Sequence, residues 1–348
     1  MANTFSGLTA YVEERRFGLD FYKNALQTND MIPFVQQVGM LIPSVKEDTI
    51  KLPNISATVG IADGATCTDD FDNGNDTTIT QSSISLVKGK VSDSICMHGG
   101  DFETYFTAAG LPLGQKYTGL GALEAAIVDE IMRTLAPRIA NNAWTGPTSP
   151  DSWTFNNSWM DLLFAATMGT FDASTNVNGG IVGSTTPTSG GSAGTDAQGV
   201  YNICEALVQA ALTSKDFGSA VANGECYIVM SPLHKEYMRQ NYQKRFGLAM
   251  PEIAVGLAGL QNGMTGAFNF PGWNVPVYTQ SSLTGENCII LSRKGNQVLA
   301  VDTVGDFTSI DIWLADDHDT IRHSSRFKMG TGWRALNGRN IKYWGTTT

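Results

Sequence analysis

The stretch that most constrains this chain is LGALEAAIVDEIMRTLAPRIANNAWTG, residues 120–146. Leu123, Ile127, Ile131, Leu135 and Ile139 recur every fourth residue, flanked by Ala126, Val128 and Met132, while Glu124, Asp129, Glu130 and Arg133 mark the other side. That spacing predicts an amphipathic helix with one face on a core. Asp129 and Arg133 add an i, i+4 pair in the favourable orientation. Pro137 is placed to kink the helix near its end. The Asn-Asn-Ala-Trp-Thr-Gly turn stops it, with Trp144 as a packing anchor. No catalytic set accompanies this helix, so it reads as a structural beam.

Upstream of the helix the pattern differs twice. Residues 1–48 carry apolar Leu8, Tyr11, Val12, Phe17, Leu19, Phe21, Tyr22 and Leu26, but Gly18 interrupts any single stripe. This reads as an arm of short helical pieces, which needs another surface to lie on, its own core or a neighbour's. Between Ile50 and Gly100, TIKLPNISATVG and TTITQSSISLVKGKVSDSI alternate apolar and polar residues around the acidic, turn-rich ADGATCTDDFDNGNDTT. They predict a long two-stranded excursion, marginal in water without a partner surface.

Downstream, residues 141–200 contain no Lys or Arg, and 171–199 form a Gly, Ser and Thr-rich insertion. A second helix is expected from Thr195 or Asp196, with Val200, Ile203, Cys204, Leu207 and Ala211 on one face. ECYIVMSP then predicts a strand ended by Ser231 as N-cap and Pro232 at the first position of a further helix. WNVPVYTQ, NCIILSRK, QVLAVDTV and FTSIDIWL read as strands, and HSSRFKMGTGWRALNGRNIKYWG as a closing pair. Helices and strands are mixed without regular alternation, which is the α+β class.

Composition limits the function. The chain has 348 residues, with 23 Lys and Arg against 33 Asp and Glu, a net charge of -10. Such a chain lacks the basic footprint that dominates binding to phosphate backbones, so sequence-reading DNA binding is not expected. The five cysteines, at 67, 96, 204, 226 and 288, show no C-x-x-C pair. They read as reduced and structural, including Cys67 and Cys96, which bracket the ribbon. No apolar run approaches a membrane span.

Candidate chemistry is sparse. In ADDHDTIRH, Asp316, Asp317, His318, Asp319 and His323 crowd together, but the spacing of His318 and His323 puts them on opposite faces of a strand. A solvated acidic turn is the expected reading. DDFDNGND invites a calcium loop starting at Asp70, yet Asn75 stands where Gly is needed and Gln81 where a bidentate Glu is needed. Ser231 lacks the flanking glycines of a nucleophile elbow. The basic and aromatic stretches YMRQNYQKRFG and FKMGTGWRALNGRNIKYWG read as core or subunit-contact residues. No cofactor is expected, and no metal.

The order of these elements resembles the major capsid proteins of tailed bacteriophages, whose architecture is called the Johnson fold. TFSGLTAYVEE (4–14), IADGATCTDDFDNGNDTTITQSSISLVKGKVSDSIC (61–96) and NNAWTG (141–146) resemble capsid proteins of crAss-like phages. YIVMSP, FNFPGWNVPVYTQ and NCIILSRKGN resemble the axial domain of many phage capsids. The resemblance implies an N-terminal arm (1–48), an E-loop ribbon (49–100) and a peripheral domain with a long spine helix (101–170). An axial domain (171–310) and closing strands of the peripheral domain (311–348) complete it.

It further implies a virion protein, made in a host bacterial cytoplasm, that self-assembles into pentamers and hexamers of an icosahedral shell around double-stranded DNA. The partners implied are other copies of the chain, a portal and decoration proteins, without a membrane. The arm starts almost at Met1, where many relatives carry a cleaved scaffolding segment, so a separate scaffolding protein is expected. Assembly contacts are expected at Tyr11, Phe21, Phe71, Lys88, Arg133, Trp144, Arg245 and Trp333. The rival readings are an encapsulin-type nanocompartment shell and a metal-dependent enzyme using His318, Asp319 and His323.

Overall fold

The computed structural model describes residues 31–43, 45, 47–58, 76–96, 134–135, 137–146, 158–165, 199–251, 268–302, 310–314 and 320–345. Helix α1 (Met31–Val38) leads into β1 (Met40–Ile42), followed by β2 (Thr49–Thr58), β3 (Asp76–Ser85) and β4 (Val87–Cys96). Residues 134–135 are helical, as is α2 (137–145), and α3 (Trp159–Ala165) comes next. Then come α4 (Val200–Leu212), α5 (Lys215–Ala222), β5 (Cys226–Met230) and α6 (Pro232–Phe246). The chain ends with β6 (Phe268–Asn269), β7 (Pro276–Thr279), β8 (Cys288–Arg293), β9 (Gln297–Val301), β10 (Ile310–Leu314), β11 (Thr320–Trp333) and β12 (Ile341–Gly345).

Three sheets result. The first has the order β1-β9-β11-β10, with β4 also on β11; the second has the order β12-β8-β5-β7-β6; β2 and β3 form a two-stranded ribbon. Strands β5, β8 and β9 read as nearly unbroken apolar runs because both faces are covered. Tyr227, Val229, Cys288 and Ile290 enter a core shared with Phe34 of α1, Trp144 of α2, Trp159 of α3, and Leu299 and Met329 of the first sheet. Their alternates Ile228, Met230, Ile289 and Leu291 enter a second core with Val200, Ile203, Cys204 and Leu207 of α4. The first sheet is also covered twice, since Val298 and Ala300 meet Leu52, Ile84 and Leu86 of the ribbon region. The molecule is therefore layered: α4 with α5, second sheet, central core, first sheet, ribbon.

Several sequence expectations change here. The described end of the long helix buries Leu135, Ile139, Ala140, Ala143 and Trp144, as its stripe requires, while residues 120–133 lie outside the described part. Part of the arm, α1, lies on the chain's own core through Met31, Phe34, Val35 and Val38. The strand expected after the acidic loop is two strands broken at Leu86: β3 pairs with β2, and β4 pairs with β11 from Cys96↔Thr320 to Val87↔Met329. Helix α4 begins at Val200 after Gly199, four or five residues later than the Thr195 or Asp196 onset expected. Strands β11 and β12 do not pair together; β11 joins β4, β9 and β10, and β12 joins β8. A boundary at 310 therefore cuts both sheets, because β9 belongs with β11, and β8 with β12. The strand-to-helix junction is as expected: Ser231 Oγ accepts from the His234 N–H at 3.1 Å and Pro232 opens α6. Gly247 ends that helix at φ 70, a conformation that favours glycine.

Candidate functional site

The ribbon is the one sheet among the described residues that joins no other strand, so the place where it meets the body sets its direction. Ten residues of each strand, β2 and β3, pair in antiparallel register from Thr49↔Ser85 to Thr58↔Asp76. At its base, Ile84 seats on β11. Along β11, Phe327, Met329 and Trp333 enter the central core, which puts Lys328, Gly330 and Gly332 on the ribbon side by alternation. The glycines make room: a Cβ on Gly332 would stand 2.5 Å from Ile84 Cγ1, and one on Gly330 2.6 Å from the Ser85 carbonyl oxygen. Ser82 Oγ also donates to the Arg334 carbonyl at 3.3 Å.

Lys328 completes this base. It is 2% exposed, yet its Nζ lies 2.9 Å from Asp48 Oδ1 and donates to the Glu47 carbonyl at 3.0 Å. Asp48 is on the outside, with its side chain 80% exposed, and its carbonyl accepts from the Leu86 N–H at 2.8 Å. The hydrogen bond and charge of Lys328, helped by the charge of Lys88, hold the Asp48 carboxyl below its usual range against a small opposing effect of burial.

The expected assembly residues fall into three groups. Tyr11, Phe21, Phe71 and Arg133 lie outside the described residues. Trp144 and Trp333 are 0% and 3% exposed and pack in the chain's own core, as the packing-anchor reading of Trp144 has it. Trp144 Nε1 donates to Gln280 Oε1 at 3.3 Å and its ring packs edge-on against Trp159 at 4.9 Å. Trp333 Nε1 donates to the Trp159 carbonyl at 3.0 Å, while Trp159 Nε1 donates to the carbonyls of Val298 and Gly332, both at 3.1 Å. These indoles weld α2 and α3 to the two sheets. Lys88 and Arg245 remain at the surface in whole or part. Lys88 is exposed on β4, in register with Lys328.

Arg245 bonds Glu205 Oε2 at 2.6 Å and Asn202 Oδ1 at 2.8 Å, and lies over the rings of Tyr201 and Phe246 at 5.4 and 5.1 Å. It thus ties α6 to α4 beside an apolar edge where Phe246 and Leu248 are 45% and 67% exposed. Burial pushes the Tyr201 hydroxyl up to about 12.

Nothing described has the form of a reaction centre. Among the described residues no group of three His, Cys, Asp or Glu side chains could hold a metal ion. Of the ADDHDTIRH set, residues 316–319 lie outside the described part, and His323 stands in β11 in register with Ile312 and Asp93. The DDFDNGND stretch falls outside it except for Asp76, and Cys67 falls outside it as well. Cys204, Cys226 and Cys288 are free and buried, and burial raises each thiol, Cys226 to about 12, so none is a poised nucleophile. Among the described residues no helix is long and apolar enough to cross a membrane.

The base residues Asp48, Ile84, Lys328, Gly330 and Gly332 were not singled out by the sequence reading. Their signal was the alternation in FKMGTGW, where large apolar residues on one face face Lys, Gly and Gly on the other. Such a strand is approached closely on its second side.

No family model matches the sequence, nor does any curated protein. Solved structures do. A chain from Gordonia phage Cozz matches over 90% of this chain and 86% of its own, at 12% identity and a TM-score of 0.50. The capsid of an empty GTA particle matches over 90% and 89%, at 11% identity and a TM-score of 0.48. The procapsid of satellite phage P4 with its size determination protein matches over 94% and 98%, at 9% identity and a TM-score of 0.45. At these identities likeness speaks for architecture alone, and the chain shares the fold of the matched chain from Gordonia phage Cozz.

Proposed function

We propose that this chain is a structural shell subunit, the major capsid protein of a tailed phage, and that its function is self-assembly and not catalysis. The observation that carries this is the ribbon. Its hydrogen-bond ladder is internal along its whole described length, its described side chains meet the body at the base through Leu52 and Ile84, and a two-stranded ribbon alone is marginal in water. A neighbouring copy supplies the missing surface. Repeated head-to-tail contacts of this kind close into rings, here pentamers and hexamers of an icosahedral shell, with interfaces on the order of 2,000 Å² or more. The shared fold with a phage protein supports the reading.

Double-stranded DNA is the proposed content, held without sequence recognition, since a subunit of net charge -10 does not bind phosphates tightly. A separate scaffolding protein, a portal and decoration proteins are the proposed partners, and the virion is the proposed location.

Expression of the full chain, followed by light scattering and negative-stain imaging, tests this. Closed shells or five- and six-membered rings are the expected result, with a candidate scaffolding protein co-expressed if the subunit alone stays small. A monodisperse monomer under every co-expression condition overturns the reading. Shells that carry a protein cargo and exclude DNA in the native source would replace it with a nanocompartment.

A further inference from the structure

We propose that Lys328 is a latch: its ammonium, buried on the first sheet, holds the start of the ribbon through Asp48 and Glu47, and breaking that hold lets the ribbon pivot as an intact two-stranded unit. This holds whether or not the chain builds a shell.

The ribbon and the sheet differ in how they are held. Inside the ribbon, backbone pairing runs over ten residues of each strand. Among the described residues no strand pairing joins ribbon and sheet; β2 and β3 form their own sheet. Among the described residues, what joins them is Ile84 on Gly330 and Gly332, the packing of Leu52 and Leu86 on Val298 and Ala300, the Val45 N–H on the Val301 carbonyl just before β2, the Ser82–Arg334 hydrogen bond, and the Lys328 contacts to Asp48 and Glu47. Lys328 itself cannot yield easily, because β11 is laddered to β4 through Lys328↔Lys88 and to β9 from Met329 onward. Movement therefore falls on the ribbon side.

The two ends of the latch are unequal. The lysine end is buried and the carboxylate end is 80% exposed, so salt and competing ions reach the pair from one side only. Lys88 sits directly across β4 from Lys328, and like charges in that position repel. Asp48 offsets this repulsion, and without its charge the two ammonium groups push at the base. Charged residues beside it among those described include Glu47, whose carbonyl accepts from Lys328, and Asp302, whose N–H donates to the Lys328 carbonyl at 3.1 Å. The apolar seat of Leu52, Ile84 and Leu86 on Val298 and Ala300 carries no charge and is untouched by such a change, which gives the ribbon a surface to turn on. Leu86 is the reporter, since its N–H bonds the Asp48 carbonyl where the ribbon returns to the sheet.

Hydrogen exchange of the full-length chain, read at residue resolution by fragmentation, tests the latch in Asp48→Asn, Lys328→Met and Asp48→Glu. The Leu86 amide is expected to exchange about tenfold faster in the first two and near the parent rate in the third, with the β2–β3 and β4–β11 amides unchanged. Raising salt to about 1 M is expected to move the parent chain toward Asp48→Asn. An unchanged Leu86 rate in Asp48→Asn overturns the proposal. So does loss of protection throughout β2 and β3, which would mean that the ribbon melts and does not turn. Should Lys328→Met fail to fold, Asp48→Asn decides alone, because it alters an exposed side chain.

Discussion

Gly330 and Gly332 are selected by what they lack. With a Cβ at Gly332 placed 2.5 Å from Ile84 Cγ1, Gly332→Ala must push the ribbon off β11 or drive Ile84 from its rotamer. The expected loss is about 1–3 kcal/mol by denaturant unfolding. Ile84→Ala, at a residue 2% exposed, is expected to lose about 2–5 kcal/mol. The double variant should lose less than the sum, because the alanine at 84 vacates the space the new methyl needs. Strict additivity would show that the two residues do not share one gap. The glycine pair is visible in the sequence, but its partner is not: Ile84 and Gly332 are 248 positions apart, and no local pattern pairs them.

Helix α6 is the element most fully written in its own residues, and also one whose docking is not. Ser231, Pro232, and Lys244 with Arg245 in the last turn mark its ends in the sequence. Its inner face is hard to read because the buried set is His234, Met238 and Asn241, two of them polar. Burial lowers His234 to about 4, opposed by a hydrogen bond with the Cys288 backbone of β8, and its Nδ1 is unsatisfied. A histidine held neutral in the fold but free to protonate near 6.5 when unfolded lends its full stability above that pH. That contribution declines as pH falls from 6.5 toward 4. Thermal unfolding of the parent minus His234→Gln should show this slope, and a difference flat across that range would mean the imidazole is solvated. Helix α5 escaped the sequence reading for a related reason: Gly218 lies within it, and a short run of Lys, Asp, Gly and Ser carries little helical signal before Phe217 and Val221 are seen to be buried. The break at Leu86 does leave a mark that a reading of one continuous alternation passes over: in TTITQSSISLVKGKVSDSI, Ile84 and Leu86 keep one phase and Val87, Val91 and Ile95 the other, and the adjacent Leu86 and Val87 stand where one strand ends and the next, in a different sheet, begins.

At the scale of the molecule, charge is the lever. Each copy carries -10, so the proposed association must overcome mutual repulsion, and on that proposal raising salt should hasten assembly of the purified chain as followed by light scattering. Rates indifferent to salt would remove electrostatics from the account. Class and element order could be read in advance, because amphipathic period and turn residues are local. The allocation of strands to sheets could not, since it rests on pairings such as β4 with β11 that join distant parts of the chain. That same pairing sets a clock during synthesis. As the chain leaves the ribosome, β2, β3 and β4 emerge early, but β9 and β11, the platform under the ribbon, follow some two hundred positions later. Long-range pairing of this kind forms late. On the proposed shell function, a nascent subunit has no aimed ribbon to offer a neighbour until it is almost complete, and half-made chains on one message are kept from joining each other.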